Sequence, residues 1–383
     1  MRIVWHVYPL GFTGAPVRPT PAQRELTHRL RQLESWLDYA ADLGVNTLQL
    51  GPIFAAATHG YDTIDHYTID PRLGTNEDFD AFIAAAQARG FGVVLDGVFN
   101  HVAVEHPLAK AGLTTGAVFE GHQDLVELDH QRPEVIAYIA DVMNYWLDRG
   151  VTGWRLDAAY AVAPEVWAKV LPQVRQRHPD AWFVGEMIHG DYNEYVAASG
   201  LDAITQYELW KAIWSSLKDR NFFELDWCLQ RNNKLQFVPM TFVGNHDVTR
   251  IVSTLGDRYA AFALLILCTV GGEPSIYYGD EQAFRGVKEE RVGGDDAVRP
   301  AFPATPEHLA PYGWWMYELH QRLLRFRAAR PWLARATTHA VQLENTRYVF
   351  EVRGPQGEQV LVNLDLDANR AFVTEGGNEV LAV

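Results

Sequence analysis

Short apolar, β-branched runs alternate along the chain with longer runs of helical period, the pattern of repeated strand–helix units that build a parallel sheet. Residues 3–8, 45–50, 91–96, 151–156, 181–185, 203–205, 236–243 and 275–278 predict eight strands. Apolar spacing predicts helices over residues 29–43, 77–89, 133–148, 164–178, 207–217, 258–270 and 314–330. Gly44 stops the first of these, Asn76 is placed to cap the second, and Pro133 opens the third where its missing N–H does no harm. Eight such steps predict a (β/α)8 barrel formed by residues 1–97 and 132–334. Residues 98–131 have no clear period and are too long for a simple strand–helix turn, so they predict a short excursion after strand three. Polar residues 60–67 and 74–76 predict a long loop. Strict alternation with turns, as in Arg347-Tyr348-Val349-Phe350-Glu351-Val352, predicts a small antiparallel β domain over residues 335–383.

Charge narrows the ligand. A net charge of -15 would repel a nucleic-acid backbone or an anionic membrane, which leaves a neutral small molecule as the better fit. The 12 Trp exceed what a core needs, and some fall in loop-like stretches such as Pro311-Tyr312-Gly313-Trp314-Trp315. Flat rings beside carboxylates and amides suit sugars, whose C–H faces stack while their hydroxyls take hydrogen bonds. The longest apolar run, residues 259–270, falls short of the roughly 20 residues that cross a bilayer, so no membrane span is expected. The start reads as a core strand rather than a secretory signal, and a cytoplasmic protein is expected. Cys228 and Cys268 stand on apolar segments without metal-ligand or disulfide spacing and read as buried thiols.

In a barrel of this kind, reactive side chains gather at the C-terminal ends of the strands. Strand three ends in Asp96 and leads to Asn100 and His101; strand four carries Arg155 and Asp157; strand five leads to Glu186, and strand seven to Asn245, His246 and Asp247. Arg155 and Asp157, two apart, share a face by period-two alternation, which alone is an ordinary strand-end ion pair. Four carboxylates, two histidines and an arginine at one mouth call for more. Arg155 is an awkward neighbour for a catalytic cation, and no His-Glu-x-x-His spacing occurs. There is no Gly-x-Ser-x-Gly elbow, and Gly293-Gly294-Asp295-Asp296 has the wrong charge for a phosphate loop. Glycoside cleavage needs one carboxylate ionised and another protonated, which an Arg-paired Asp157 as nucleophile and a differently placed Glu186 as acid/base can supply.

Four stretches, Asp96-Gly97-Val98-Phe99-Asn100-His101, Gly153-Trp154-Arg155-Leu156-Asp157, Val184-Gly185-Glu186 and Phe242-Val243-Gly244-Asn245-His246-Asp247, are together similar, in order, to the motifs of the α-amylase superfamily of retaining α-glycosidases and α-transglycosylases. His59-Gly60-Tyr61-Asp62, Leu128-Asp129-His130 and the stretch from Gly272 to Glu281 resemble the family too, so the likeness covers nearly the whole chain. The resemblance implies Asp157 as nucleophile, Glu186 as acid/base and Asp247 as the carboxylate that grips sugar hydroxyls. It implies substrate contacts from Tyr61, Asp62, His101, Arg155 and His246, with Tyr61 stacked on the sugar beside the cut. Asp96 and Asn100 are expected to hold loops. The two catalytic carboxyls of a retaining enzyme stand about 5–5.5 Å apart.

Departures from the family pattern bear on specificity. Tyr160 and Ala161 stand where many α-amylases carry Lys-His, so the lysine expected on the leaving-side sugar is missing. The short excursion puts more of the cleft wall on Trp-rich loops such as residues 312–315. No cofactor is required; for a family calcium site the usual ligands cannot be placed, and Asp124 and Asp129 are the candidates. The expected activity is hydrolysis of α-glucosidic bonds in malto-oligosaccharides or related α-glucans by double displacement. The alternatives are a transglycosylase or isomerising enzyme of the same clan, or a catalytically silent carbohydrate-binding barrel. The sequence sets no oligomeric state.

Overall fold

The computed structural model describes residues 1–383. Its parallel strands are β1 Val4–Val7, β2 Thr47–Leu50, β3 Gly92–Gly97, β4 Gly153–Leu156, β5 Trp182–Gly185, β6 Ala203–Ile204, β7 Met240–Phe242 and β8 Glu273–Tyr277. They pair in the order β6-β5-β4-β3-β2-β1-β8-β7, and a parallel bridge from Thr205 to Met240 joins the two ends. The closed sheet is the barrel that the alternating pattern predicts. Beyond it, β9 Thr337–Leu343, β10 Arg347–Arg353, β11 Gln359–Asp365, β12 Arg370–Glu375 and β13 Asn378–Ala382 form an antiparallel meander.

Register decides which side chains enter the barrel. Asp96 lies level with Arg155 across β3 and β4, and Arg155 level with Val184 across β4 and β5, so the three share one face of the sheet. Two residues back along the strands, on the same face, Val94 and Gly153 are partners. Val94, Trp182, Val184, Ala203 and Met240 pack with one another as a cluster of their own, the inner filling of the barrel. The alternate residues Leu95, Trp154, Leu156 and Phe183 belong to the large core shared with the helices. Arg155 therefore points inward, and Asp157 follows it on the same side just past the strand end.

Several elements differ from the sequence pattern. The helix expected over residues 29–43 is two, Leu30–Glu34 and Leu37–Leu43, because Ser35 and Trp36 turn out to bond a distant loop: Ser35 Oγ donates to the Ala304 carbonyl at 2.8 Å and Trp36 Nε1 to that of Pro303 at 3.2 Å. Thr75, not Asn76, caps the helix Asn76–Ala88, sharing a capping box with Asp78, while Asn76 Oδ1 accepts from Ile69 N at 2.9 Å. The loop expected over residues 60–67 instead runs into the strand Thr63–Ile69, paired antiparallel with Phe54–Ala56. The excursion is a small sheet of His101–Ala103, Leu125–Leu128 and Thr114–Val118. Helices Tyr192–Ser199 and Phe222–Asn232 were not legible as periodic runs.

The helix expected from residue 258 begins earlier, as Ile251–Thr269, and carries a break at Gly256, whose φ is 72°. At 19 residues it is long and apolar enough to cross a membrane, yet its residues from Ala260 to Thr269 are buried in the core of this fold. Trp314 opens the helix Trp314–Ala328 and packs its ring on Tyr39 and Tyr317, while Trp315 lies beside Arg258, Leu319 and Arg322. Trp314 therefore serves packing in the outer helical layer, and Trp315 stays exposed on that layer, away from the carboxylates at the barrel mouth. Cys228 and Cys268 are buried, and burial pushes both thiols up to about 12.

Candidate active site

One guanidinium organises the mouth of the barrel. Arg155 Nη1 reaches Asp96 Oδ1 and Asp157 Oδ1, each at 2.8 Å, and its Nη2 reaches Glu186 Oε1 at 2.7 Å. Inward-facing positions on three adjacent strands bring these carboxylates to one cation. All four residues are buried; Asp157 keeps 8% and Glu186 6% of its surface exposed, the part that looks out of the mouth. Three carboxylates around one cation would leave a buried net charge of two negatives, so a proton is favoured on the cluster. Burial accordingly raises the carboxyls of Asp157 and Glu186, Asp157 well above its ordinary range, against the pull of Arg155.

Glu186 has further partners. Ala158, left-handed at φ 46°, turns its N–H back to Glu186 Oε2 at 2.9 Å. Tyr207 Oη donates to Glu186 Oε1 at 3.4 Å and itself accepts from Asn245 Nδ2 at 2.7 Å. Asn245 Oδ1 also accepts from Asp247 N at 2.9 Å, which fixes the loop after β7.

Asp247 sits between two nitrogens, His246 Nε2 at 3.0 Å and Arg299 Nη2 at 2.8 Å. Burial works to raise its carboxyl, but His246 and Arg299 prevail and hold it well below the usual carboxylate range. Tyr61 links this group to the first: its hydroxyl donates to Asp96 Oδ2 at 3.1 Å, contacts His246 Nε2, and its ring stacks on His246 with centroids 5.4 Å apart. His101 Nε2 donates to the Tyr61 carbonyl at 3.1 Å, and its Nδ1 accepts from Asn100 at 3.2 Å. Burial lowers His101 to about 4, so it stands neutral in this network.

The structure thus brings Asp157, Glu186, Asp247, Arg155, Tyr61, His101 and His246 together. Asp62, next to Tyr61 and near His101, makes no hydrogen bond to them. Asp62 is buried in its own turn, where Oδ1 accepts from Gly60 N at 3.2 Å, and it borders a polar recess of about 370 Å³ shared with His59, Arg24 and His122. Asp124 lines the same recess, while Asp129 Oδ1 accepts from Gln131 N at 3.1 Å. Neither of these calcium candidates belongs to a group of three or more acidic, His or Cys side chains able to hold an ion.

Sequence reasoning missed Arg299 and Tyr207. Tyr207 opens the helix after β6, and a polar ring at that position is a weak sign. Arg299 comes from the long segment after β8 and carries no local signal; only the closed barrel brings it to Asp247, over the ring of Tyr8 at 4.8 Å.

Comparison with known proteins identifies the family. The family model for the α-amylase catalytic domain matches residues 24–115 and 117–308. The chain belongs to the α-amylase family. Cyclomaltodextrinase from Geobacillus thermopakistaniensis is 30% identical over 309 residues, covering 71% of this chain and 51% of that protein. Neopullulanase 2 from Thermoactinomyces vulgaris is 28% identical over 367 residues, covering 86% of this chain and 61% of its own. The chain therefore spans little more than half the length of these curated relatives. Among solved structures, the cyclic α-maltosyl-(1→6)-maltose hydrolase of Arthrobacter globiformis, in complex with that sugar, superposes with a TM-score of 0.82 at 25% identity, over 95% of this chain and 90% of that one. An Anoxybacillus α-amylase shares the fold, with a TM-score of 0.82 at 20% identity, over 100% of this chain and 95% of that one.

Proposed function

We propose that this member of the α-amylase family is a retaining glycosidase that hydrolyses α-glucosidic bonds of malto-oligosaccharides or related α-glucans. The observation that carries the reading is the single guanidinium of Arg155 shared by Asp157 and Glu186. Two carboxyls on one cation, with room for one proton between them, are the nucleophile and acid of a double displacement. Asp157 attacks the anomeric carbon and Glu186 gives its proton to the departing glycosidic oxygen, leaving a glycosyl ester on Asp157. Glu186, now ionised, takes a proton from water, whose oxygen attacks the same carbon and frees Asp157.

In the unliganded arrangement Glu186 accepts from Arg155, Ala158 and Tyr207, whereas Asp157 is held by Arg155. On this reading the arriving glycosidic oxygen displaces Arg155 from Glu186 Oε1. Arg155 then stays with Asp157 as an ion pair, and the shared proton settles on Glu186, as each role requires. Asp247, kept ionised, accepts hydrogen bonds from hydroxyls of the sugar undergoing attack, and His101 and His246 line the same subsite.

Reducing-end release from maltotriose by Asp157→Asn, Glu186→Gln and the parent protein tests this. Both variants should lose at least about a thousandfold in kcat, and proton NMR of the parent reaction should show the α-anomer formed first. Unchanged turnover in either variant, or β-anomer first, would overturn the assignment.

A further inference from the structure

The inner filling of the barrel is apolar on one side only. Val94, Trp182, Val184, Ala203 and Met240 supply it from β3, β5, β6 and β7. On the β1–β2 side, His6 lies level with Gln49, and Gln49 level with Val94, so both polar side chains share the inward face with Val94. His6 and Gln49 are buried, and neither His6 Nε2 nor Gln49 Oε1 has a hydrogen-bond partner in the protein. A valine, as on β3, would fill this layer without the cost of burying unpaired polar atoms.

One nitrogen of the site itself shares that condition. His246 places Nε2 on Asp247 Oδ2 at 3.0 Å and on the Tyr61 hydroxyl, whereas its buried Nδ1 is left without a partner. Its ring meets that of His6 edge to face, at 85°, with centroids 5.0 Å apart. Three unpaired polar atoms thus come from neighbouring side chains: an amide oxygen that only accepts, and two ring nitrogens that each donate or accept. That is a partner set for one buried water. The charged groups around His6 are His246 and Asp247 after β7, Arg155 on β4 and Arg299 from beyond β8, and the Tyr277 ring on β8 lies 5.3 Å away. Burial, and after it these cations, hold the His6 imidazole well below its ordinary value, so it stays neutral and keeps one nitrogen free to accept.

We propose that His6 is a positioning residue for Asp247: with Gln49 it holds one water against His246 Nδ1, and so keeps His246 an imidazolium on the Asp247 carboxylate. The water donates one hydrogen to Gln49 Oε1 and the other to His6 Nε2, and its oxygen accepts from His246 Nδ1–H. His246 then carries a proton on each nitrogen, with Nε2–H directed to Asp247. Without an acceptor at Nδ1 the imidazolium would bury an unpaired N–H, which favours the neutral ring and weakens its hold on Asp247. His6 touches no substrate and acts through His246. The catalytic consequence rests on the glycosidase reading, in which Asp247 grips hydroxyls of the sugar under attack.

Nitrogen NMR of the isotope-labelled histidine rings at neutral pH reads the protonation directly, with His6→Gln and His246→Gln assigning the two signals. His246 should carry a proton on both nitrogens and His6 on Nδ1 alone. In His6→Leu, His246 should lose its Nδ1 proton, and kcat/KM for maltotriose should fall roughly tenfold, mostly in kcat. His6→Gln, whose amide also takes a hydrogen bond from the water, should restore most of both. Thermal melts confirm folding, and Gln49→Leu, expected to act in the same direction more weakly, serves where His6→Leu does not fold. A parent His246 with a single proton, or one that keeps both in the folded leucine variants, overturns the proposal even where activity drops. A doubly protonated His246 that responds to His6→Leu, in a parent protein that does not cleave maltotriose, would support the His6 pairing and defeat the glycosidase reading instead.

Discussion

Arg299 donates through Nη2 to Asp247 Oδ1 at 2.8 Å while its Nε donates to the carbonyl of the neighbouring His246 at 3.0 Å. One side chain from beyond β8 thus fixes both the charge of the third acidic residue and the loop that presents it. Removing it leaves Asp247 paired only with His246, in a setting where burial favours the neutral acid. Arg299→Gln is expected to lower kcat/KM for maltotriose about a hundredfold, near 3 kcal/mol, mostly in kcat. Steady-state kinetics beside a thermal melt would check it, and a loss confined to KM would speak against a clamp on Asp247.

The proton shared by Asp157 and Glu186 predicts the pH profile. The proposed double displacement requires one of the pair ionised and one protonated. Because burial raises both carboxyls, the alkaline limb of kcat/KM should lie above the ordinary carboxylate range. Glu186→Gln removes the group that must stay protonated. With α-glucosyl fluoride, whose departure needs no acid, this variant should retain glycosylation, and its alkaline limb should vanish. An alkaline limb that survives in Glu186→Gln would assign the proton elsewhere.

The barrel and its three acids were legible because each depends on local pattern. Arg155 and Asp157 share a face by spacing alone, and Asp96, Glu186 and Asp247 follow apolar strands that announce their own ends. What was hidden depends on distant pairing. Trp36 breaks a helix because Pro303 accepts from its indole, a contact made across most of the chain. Thr63–Ile69 reads as polar loop because Asp65 and His66 interrupt its apolar period, yet Phe54–Ala56 pairs with it. Arg299 has no neighbour in sequence that foretells Asp247. The aromatic stretch around Trp314 misled in the opposite direction, since composition suggests a binding surface where the helical layer needed packing.

Glu281 makes stability depend on pH in the sense opposite to that of a surface acid. Its Oε1 accepts from Tyr39 Oη and its Oε2 from Gly279 N, each at 3.0 Å, and burial raises its carboxyl to about 7. The folded state therefore holds the proton more tightly than the unfolded chain. The stabilisation is complete below the ordinary glutamate value and is lost as pH rises to about 7. Asp280 beside it, raised to about 6, acts in the same direction. Glu281→Gln stays neutral throughout, so it should melt higher than the parent at about pH 8, by roughly 3 kcal/mol at most, with the gap closing near pH 5. Parallel melts at both pH values decide it; a gap of equal size at each would point to packing instead of ionisation.

Gly153 tests whether the inward face of β4 is as crowded as its register implies. A Cβ at this position would lie 2.4 Å from the Trp182 carbonyl oxygen and 3.2 Å from the Trp182 Cβ. The first obstacle is backbone, and no rotamer change can relieve it. Gly153 pairs across the barrel wall with Trp182 on β5 and Val94 on β3, so an added methyl must push apart the strand that carries Arg155 and the strand that leads to Glu186. Overpacking of this kind costs about 1–3 kcal/mol, and here the displaced atoms also set the Arg155–Glu186 contact of 2.7 Å. Gly153→Ala should therefore melt several degrees lower and lose activity beyond its loss of folded protein, since a shift well under 1 Å is enough to misplace a catalytic group. Specific activity per folded molecule, taken well below the melting temperature, separates the two effects. A variant that is less stable but fully active would mean that the strands absorb the methyl without moving the acids.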